Sequence, residues 1–413
     1  MYTLKLNSSC LNKIIFIALF LFIGNYIFAL PDITIIKLPD STKILINPEP
    51  DTDYYGLQLK LSGEGQILLQ NEKEQAEYRF STGGKAESIY FYKSLTHFLP
   101  SKIIISSTMN YDVFSANIIP EKNELPPLAD IGHIIFSDFT GDTKGWNVYR
   151  WNLSPDILIY DTADYAVQSK LFKRLAFFVE KPGFIGKLVS NKDLANRHGW
   201  NAHDYKPDDL AAFFTKAKET GFQLNPEEIA LKDLIIKCGI IIKQDNKYIE
   251  GHGAVLSASR ETNQRWRYRF LTHECFHGIF FTNDDYRKEI TETFYALSPD
   301  EINFWKHLLD YRRYDVTNEY LLVNEFMAYS LQQPLEETDD YFKGFLYKRM
   351  VVARPYEKDL VETFDAAYPE SFVNSAKALE KILHSYTGRE AGHLANLYPA
   401  NITNSFYDLF AEF

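Results

Sequence analysis

Short runs of alternating hydrophobic and polar residues fill the first part of the chain, from about residue 33 to residue 120. Turn-forming residues separate these runs, as at 62–65 (Ser-Gly-Glu-Gly) and 82–84 (Thr-Gly-Gly). Several short strands at this spacing are typical of a small antiparallel sandwich. We therefore predict a β-sandwich domain at 30–120, which serves either for binding or as a spacer. Its expected strands lie at 33–36, 57–61, 66–69, 88–92 and 103–105.

The pattern changes after a polar stretch at 121–130, which contains Pro126 and Pro127 and is typical of a linker. Beyond it, the spacing of apolar residues indicates mixed α/β structure, and from Arg265 onward almost everything has helical spacing. The fold class that we predict is α+β and multidomain, with a second domain at 131–413 whose C-terminal half is mostly helical. Its expected elements are strands at 157–161, 239–243 and 253–260 and helices at 167–179, 208–220 and 226–238.

Three predicted helices begin at residues that are typical N-caps. Asn225 precedes Pro226 as an N-cap, and Ser298 begins a capping box with Glu301. Thr317 is the expected N-cap of a later helix at 320–332.

The first 29 residues are typical of a signal peptide. Lys5 and Lys13 precede an apolar run at 14–23, and a cleavage site follows Ala29. The alternative is an uncleaved anchor, because the apolar stretch approaches the length of a membrane span. We expect a secreted or periplasmic protein that contacts the membrane only if this segment is retained.

The composition of the 413-residue chain argues against some classes of function. The formal net charge of −11 argues against a nucleic-acid-binding protein, which normally presents a basic face. After signal cleavage only Cys238 and Cys275 remain, too few for a disulfide framework, and we expect two free thiols.

The pattern His-Glu-x-x-His at 273–277 is the strongest chemical signal in the chain. Side chains four residues apart lie on one helix face, so His273 and His277 can both reach one metal ion. Glu274 lies beside the first ligand and can take a proton from a water molecule that the metal acidifies. The flanking residues are apolar, and two imidazoles buried there need a compensating partner.

A second helix, predicted at 320–332, presents Glu325 among small or apolar residues on one face. An isolated carboxylate on that face would be costly to bury. A role as third zinc ligand would account for the burial of Glu325. Two histidines and one glutamate, with a water molecule in the fourth position, form a typical catalytic zinc site.

These two segments, His273-Glu274-x-x-His277 and Asn324-Glu325-x-x-Ala328-Tyr329, resemble the gluzincin group of zinc metallopeptidases. The resemblance covers about 65 residues, from Arg269 to Gln333. It implies a zincin-like fold for the second domain, His273, His277 and Glu325 as zinc ligands, and Glu274 as general base. It also implies an edge strand that pairs with extended substrate, for which 251–260 is the candidate. The alternative for 251–260 is an ordinary strand within a sheet. A Tyr or His outside the ligand helices often stabilises the oxyanion in this group. We expect Tyr314 in that role, with Tyr311, His252 and His393 as alternatives.

The polar and aromatic stretch at 197–205 has two interpretations. It either lines a substrate site or holds an ion, or it is a loop that caps the helix beginning near Asp208, and we favour the loop. The function that we predict is hydrolysis of peptide bonds in a peptide or protein substrate, with Zn²⁺ as cofactor. The alternatives are a catalytically silent binding or structural protein with a peptidase-like domain, and a cell-wall peptide amidase.

Overall fold

The structure, a computed structural model, describes residues 32–47, 54–139, 144–181 and 183–402. The predicted signal peptide at 1–29 lies outside these residues, so its cleavage and the export of the protein stay predictions. Among the described helices, none combines the length and the apolar character that crossing a bilayer requires. Cys238 and Cys275 are both free thiols, as expected.

The chain is mixed α/β, with a sheet domain first and helices after it. All strands of the sheet domain pair antiparallel, and the strand order is β1-β2-β6-β3-β4, with β5 and β7 paired to the other half of β3. A short helix, α1 (Lys93–Thr96), precedes β6. The strands are β1 (Asp32–Lys37), β2 (Ser41–Asn47), β3 (Gly56–Gln70), β4 (Gln75–Ser81), β5 (Glu87–Tyr92), β6 (Lys102–Ser106) and β7 (Tyr111–Ile119).

The turn that we predicted at 62–65 is wrong, because β3 continues through it as one 15-residue strand. Gly63 adopts a φ of 90°, and a Cβ there would lie 2.3 Å from the carbonyl oxygen of Asn110. Glycine therefore lets β3 cross from one set of partner strands to the other, rather than ending it. Leu59 in the first half and Ile67 in the second half belong to the same buried core.

A strand far along the chain joins this sheet. It is the last of the described strands, β15 (Leu397–Pro399), and it pairs antiparallel with β4. Asp130 connects the two parts of the molecule, because its buried carboxylate accepts hydrogen bonds from the backbone N–H groups of Asn396 and Leu397. The predicted linker ends earlier than expected, since β8 (Leu128–Ala129) lies within it and belongs to the second sheet.

The second sheet has the strand order β11-β14-β10-β9-β8. Its β10 and β14 run parallel, whereas β11 is an antiparallel strand at the edge. The strands are β9 (Trp146–Trp151), β10 (Ile157–Thr162), β11 (Ala202–Tyr205) and β14 (Ala254–Ser259), and β12 (Ile241–Gln244) and β13 (Lys247–Glu250) form a separate hairpin. The helices between these strands are α2 (Ile131–Phe136), α3 (Tyr165–Val179), α4 (Pro207–Thr220) and α5 (Pro226–Lys237).

Helices cover both faces of the central strands. Ile159 and Leu256 point to the core that contains the C-terminal helices, whereas Tyr160 and Val255 point to the core formed with α3 and α4. This continuous burial on both faces explains why β10 and β14 begin with runs of apolar residues, at 157–160 and 254–256, rather than with alternating sequences.

The C-terminal half is helical up to β15, as the spacing predicted. The capping box at Ser298 is present, but the N-cap of the helix that carries Glu325 is Asn318 rather than Thr317. Asn318 accepts a hydrogen bond from the backbone N–H of Leu321. The helices are α6 (Gln264–Thr282), α7 (Asp284–Tyr295), α8 (Pro299–Tyr311), α9 (Glu319–Leu331), a π-helix (Asp340–Tyr347), α10 (Lys348–Ala353), α11 (Lys358–Ala367) and α12 (Ser371–Thr387).

Candidate metal centre

Helix α6 places both motif histidines on one buried face. The rings of His273 and His277 lie one turn apart, with centroids 4.7 Å from each other and planes at 85°. Their exposed fractions are 8% and 1%. Gly278 brings the helix close to the sheet, since a Cβ there would lie 2.8 Å from the side chain of Ile157 on β10. The element that packs closely against Gly278 is therefore a strand.

Helix α9 packs against α6 and brings Glu325 to the two imidazoles. Its Oε2 lies 3.5 Å from Nε2 of His273, and its Oε1 lies 3.6 Å from Nε2 of His277. Two ligands that are each bound at about 2.1 Å to a tetrahedral ion are about 3.4 Å apart. The spacing of these three side chains therefore fits one divalent ion, and their nitrogen and oxygen donors suit zinc.

Burial makes the charged forms of these side chains costly. It lowers the pKa of His273 to about 4 and raises the pKa of Glu325 to about 7. Oε2 of Glu325 is buried without a hydrogen-bond partner. A neutral imidazole and a carboxylate with a free oxygen are the forms that coordinate a metal, so a cation would satisfy an oxygen that the protein leaves unsatisfied.

Gln332, the residue just after α9, orients His273. Its Oε1 lies 3.0 Å from Nδ1 of His273, in hydrogen-bond contact. If Nδ1 carries the proton and donates it, Nε2 keeps its lone pair toward Glu325. The sequence placed Gln332 on the same helix face as Glu325, but we assigned it no role.

Glu274 lies beside the edge strand β11, near Asp204. One oxygen of Glu274, one of Asp204 and one ring nitrogen of His277 all lie within 4.8 Å of one another. Burial raises the pKa of Glu274 well above its ordinary value, and the nearby Asp204, Glu325 and Glu180 carboxylates raise it further.

Asp204 is the residue of this site that the sequence did not reveal. We interpreted 197–205 as a loop that caps a helix, but Ala202–Tyr205 is strand β11, and α4 begins after Lys206 without a side-chain cap. The available signal was the alternation at 202–205, in which buried His203 and Tyr205 alternate with half-buried Ala202 and Asp204. Four residues are too few for such alternation to be distinguished from a loop.

For 251–260, the structure favours the ordinary sheet strand over the substrate-pairing edge strand. Strand β14, within the predicted 251–260, lies between β11 and β10 and is buried along its whole length. The edge next to α6 is β11 instead. His252 precedes β14 and pairs with Asp156 at 3.5 Å, so it has a partner elsewhere in the fold.

Tyr314 lies at the candidate site. Burial raises the pKa of Glu325, and the neighbouring Tyr314 hydroxyl partly offsets that rise. The same hydroxyl is 3.4 Å from that of Tyr329. Burial and the Glu325 charge raise the pKa of Tyr314 well above its ordinary value, so the phenol stays protonated. Of the alternatives, the ring of Tyr311 lies beneath the guanidinium group of Arg354. The backbone of His393 forms an isolated β-bridge with that of Glu390.

Comparison with known proteins adds nothing to this geometry, since no family model, no curated protein and no solved structure matches the chain.

Proposed function

We propose that the chain is a zinc-dependent peptidase with a zincin-like second domain, in which His273, His277 and Glu325 hold the metal. The observation that carries the proposal is the approach of the Glu325 carboxylate to both imidazoles, at 3.5 and 3.6 Å. These residues come from two helices and are separated by 47 intervening residues along the chain. Zinc bound there would supply Lewis-acid chemistry, polarising the substrate carbonyl and acidifying a water molecule.

Glu274 is the proposed general base. It follows the first ligand on α6 and lies next to His277, on the side that faces β11. A carboxyl group whose pKa is raised by burial can accept a proton and later release it to the leaving amine.

Two further groups support a peptide substrate. The Tyr314 phenol is a hydrogen-bond donor beside Glu325, where negative charge would develop on the carbonyl oxygen. Strand β11 pairs with β14 on one side only, and no described strand pairs with its other side. Such an edge can bind an extended peptide through backbone hydrogen bonds.

Metal analysis and a variant of the base test the proposal. We expect about one zinc per chain after purification without added metal, and cleavage of a broad peptide library followed by mass spectrometry. Glu274→Gln should lower kcat by roughly 10³-fold, because general-base catalysis contributes about 10²–10⁴. Its zinc content and melting temperature should stay close to those of the wild type.

Glu292→Gln is the matched control, because it makes the same chemical change on the surface of α7, where Glu292 pairs with Lys288. It should keep full activity. A Glu274→Gln protein that cleaves peptides at the wild-type rate would refute the mechanism. A zinc-loaded wild type that cleaves nothing in the library would favour the catalytically silent alternative.

A further inference from the structure

The turn that follows α8 places two arginines, Arg312 and Arg313, next to the tyrosines of the candidate site. Nε of Arg312 donates to the hydroxyl of Tyr329 at 3.0 Å, and that hydroxyl lies 3.4 Å from the hydroxyl of Tyr314. The planar guanidinium is thus fixed through Nε, and its two terminal nitrogens bond to none of the described residues. A single phenol oxygen therefore separates Arg312 from Tyr314.

Neither arginine pairs with an acid. In the described part of the chain, no ion pair includes Arg312 or Arg313, although the whole chain carries a net charge of −11. Both side chains are exposed. A third cation lies close to Arg313, since burial and the Arg313 charge together lower the pKa of Lys181 to about 8. Cations without acidic partners at the rim of a cleft attract ligands that carry negative charge.

The backbone of Arg313 provides an observation that is independent of charge. Its φ is 71°, in the left-handed region that side chains other than glycine rarely adopt. The N–H of Tyr314 donates to the carbonyl of Leu309, and that of Arg313 donates to the carbonyl of Asp310. Glycine is the usual residue at this position of such a helix end. A long cationic side chain on a strained backbone is typical of residues that hold a ligand.

We propose that Arg312, assisted by Arg313, binds a carboxylate of the substrate, so that the protein prefers peptides with an anionic group close to the cleaved bond. The fork of a guanidinium matches the two oxygens of a carboxylate. This group is either the C-terminal carboxylate of the peptide or the side chain of an Asp or Glu. The inference rests on the proposed function for the neighbouring cleaved bond, but binding can be measured without cleavage.

Four matched mixtures of short N-acetylated peptides distinguish the two sources of the carboxylate. Their C-termini are free or amidated, and their sequences contain or lack Asp and Glu. Mass spectrometry of wild-type digests at low peptide concentration reports kcat/KM, and affinity selection on Glu274→Gln protein reports binding. Relative to the amidated mixture without acids, a carboxylate should raise kcat/KM and affinity roughly 10–100-fold, because hydrogen bonds between charged groups are strong. The mixture that shows this gain identifies the source.

Arg312→Gln and Arg313→Gly test the two arginines. Arg312→Gln keeps a donor near Tyr329 but removes the charge, and it should abolish most of the preference by raising KM for the carboxylate peptides alone. Arg313→Gly should lose part of the preference, yet melt at or above the wild-type temperature, because glycine adopts the left-handed conformation without strain. Arg349→Ala removes an exposed arginine over the ring of Phe345 and should behave as the wild type.

The results separate the possible failures. Equal cleavage and binding of all four mixtures by the wild type, or an unchanged preference in Arg312→Gln, overturns the carboxylate site and leaves the peptidase intact. An equal fall in kcat for every mixture in Arg312→Gln, with binding unchanged, also overturns it and makes Arg312 a positioning residue for Tyr314. A zinc-loaded wild type that cleaves nothing, but binds carboxylate peptides through Arg312, refutes the proposed function alone. Neither cleavage nor binding refutes both.

Discussion

The two sides of the candidate site are built differently. The helical side consists of His273, His277, Glu325 and Gln332 on or next to α6 and α9, and all four are buried. The strand side consists of β11, whose Asp204 is only half-buried and whose outer edge is unpaired among the described strands. The buried helical side is therefore suited to holding a metal in a fixed geometry. The half-buried strand side leaves room for a substrate. Variants of the two sides should therefore affect different measurements.

Removal of a proposed zinc ligand from the helical side should have the largest effect. Zinc sites contribute about 10–16 kcal/mol, so His277→Ala should weaken zinc binding by roughly 10³-fold or more and abolish cleavage. Competition with a fluorescent chelator measures the affinity. His252→Ala removes an exposed histidine that pairs with Asp156 and should change neither property. Wild-type zinc affinity in His277→Ala would contradict the assignment of this ligand.

Tyr314 tests whether the helical side also takes part in catalysis. Tyr314→Phe removes the hydroxyl that acts on Glu325, and loss of one oxyanion donor typically costs about 10²–10³-fold in kcat. Zinc content should not change. Tyr311→Phe, on the half-buried tyrosine at the end of α8, should cleave peptides normally. Equal rates in the two variants would exclude Tyr314 as the donor.

A smaller effect is expected from the residue that orients His273. Gln332→Ala removes the acceptor at 3.0 Å from Nδ1, and loss of such a partner usually weakens metal binding about 10–100-fold. Gln332→Glu keeps an acceptor oxygen and should restore most of the affinity. If both variants bind zinc equally weakly, packing at this position matters rather than the hydrogen bond.

The smallest effect should arise on the strand side and should appear in KM. A peptide substrate that is N-methylated at one amide paired with β11 loses one backbone hydrogen bond, worth about 1 kcal/mol, or roughly 5-fold in KM. Scanning the methyl group along the peptide would locate the paired positions. A scan in which no position raises KM would exclude pairing with β11.

The sequence predicted the helical side because its chemistry is local. His273 and His277 are four residues apart, and helix geometry alone places them on one face. Glu325 could be found because a single acid on an otherwise small or apolar helix face needs an explanation. Gln332 lies on the same predicted helix face as Glu325. The sequence does not distinguish its side-chain amide from other polar residues at the ends of helices.

The strand side could not be predicted in the same way. Asp204 reaches Glu274 only through the pairing of β11 with β14, a contact between residues about 50 positions apart. The four residues of β11 carry too little alternation to indicate a strand. The same limitation left two interpretations of β14 open, because a central strand and an edge strand can have similar short apolar sequences.

The pairing of β15 with β4 also constrains how the protein is made. Residues near position 80 acquire their neighbour only when residues near position 398 are available. During synthesis, the outer edge of β4 must therefore stay open until residues near position 398 have emerged. An unpaired strand edge is a template for association with other chains. A polypeptide that stops short of Leu397 would keep this edge exposed for its entire lifetime, so premature termination should lead to aggregation rather than to a smaller folded protein.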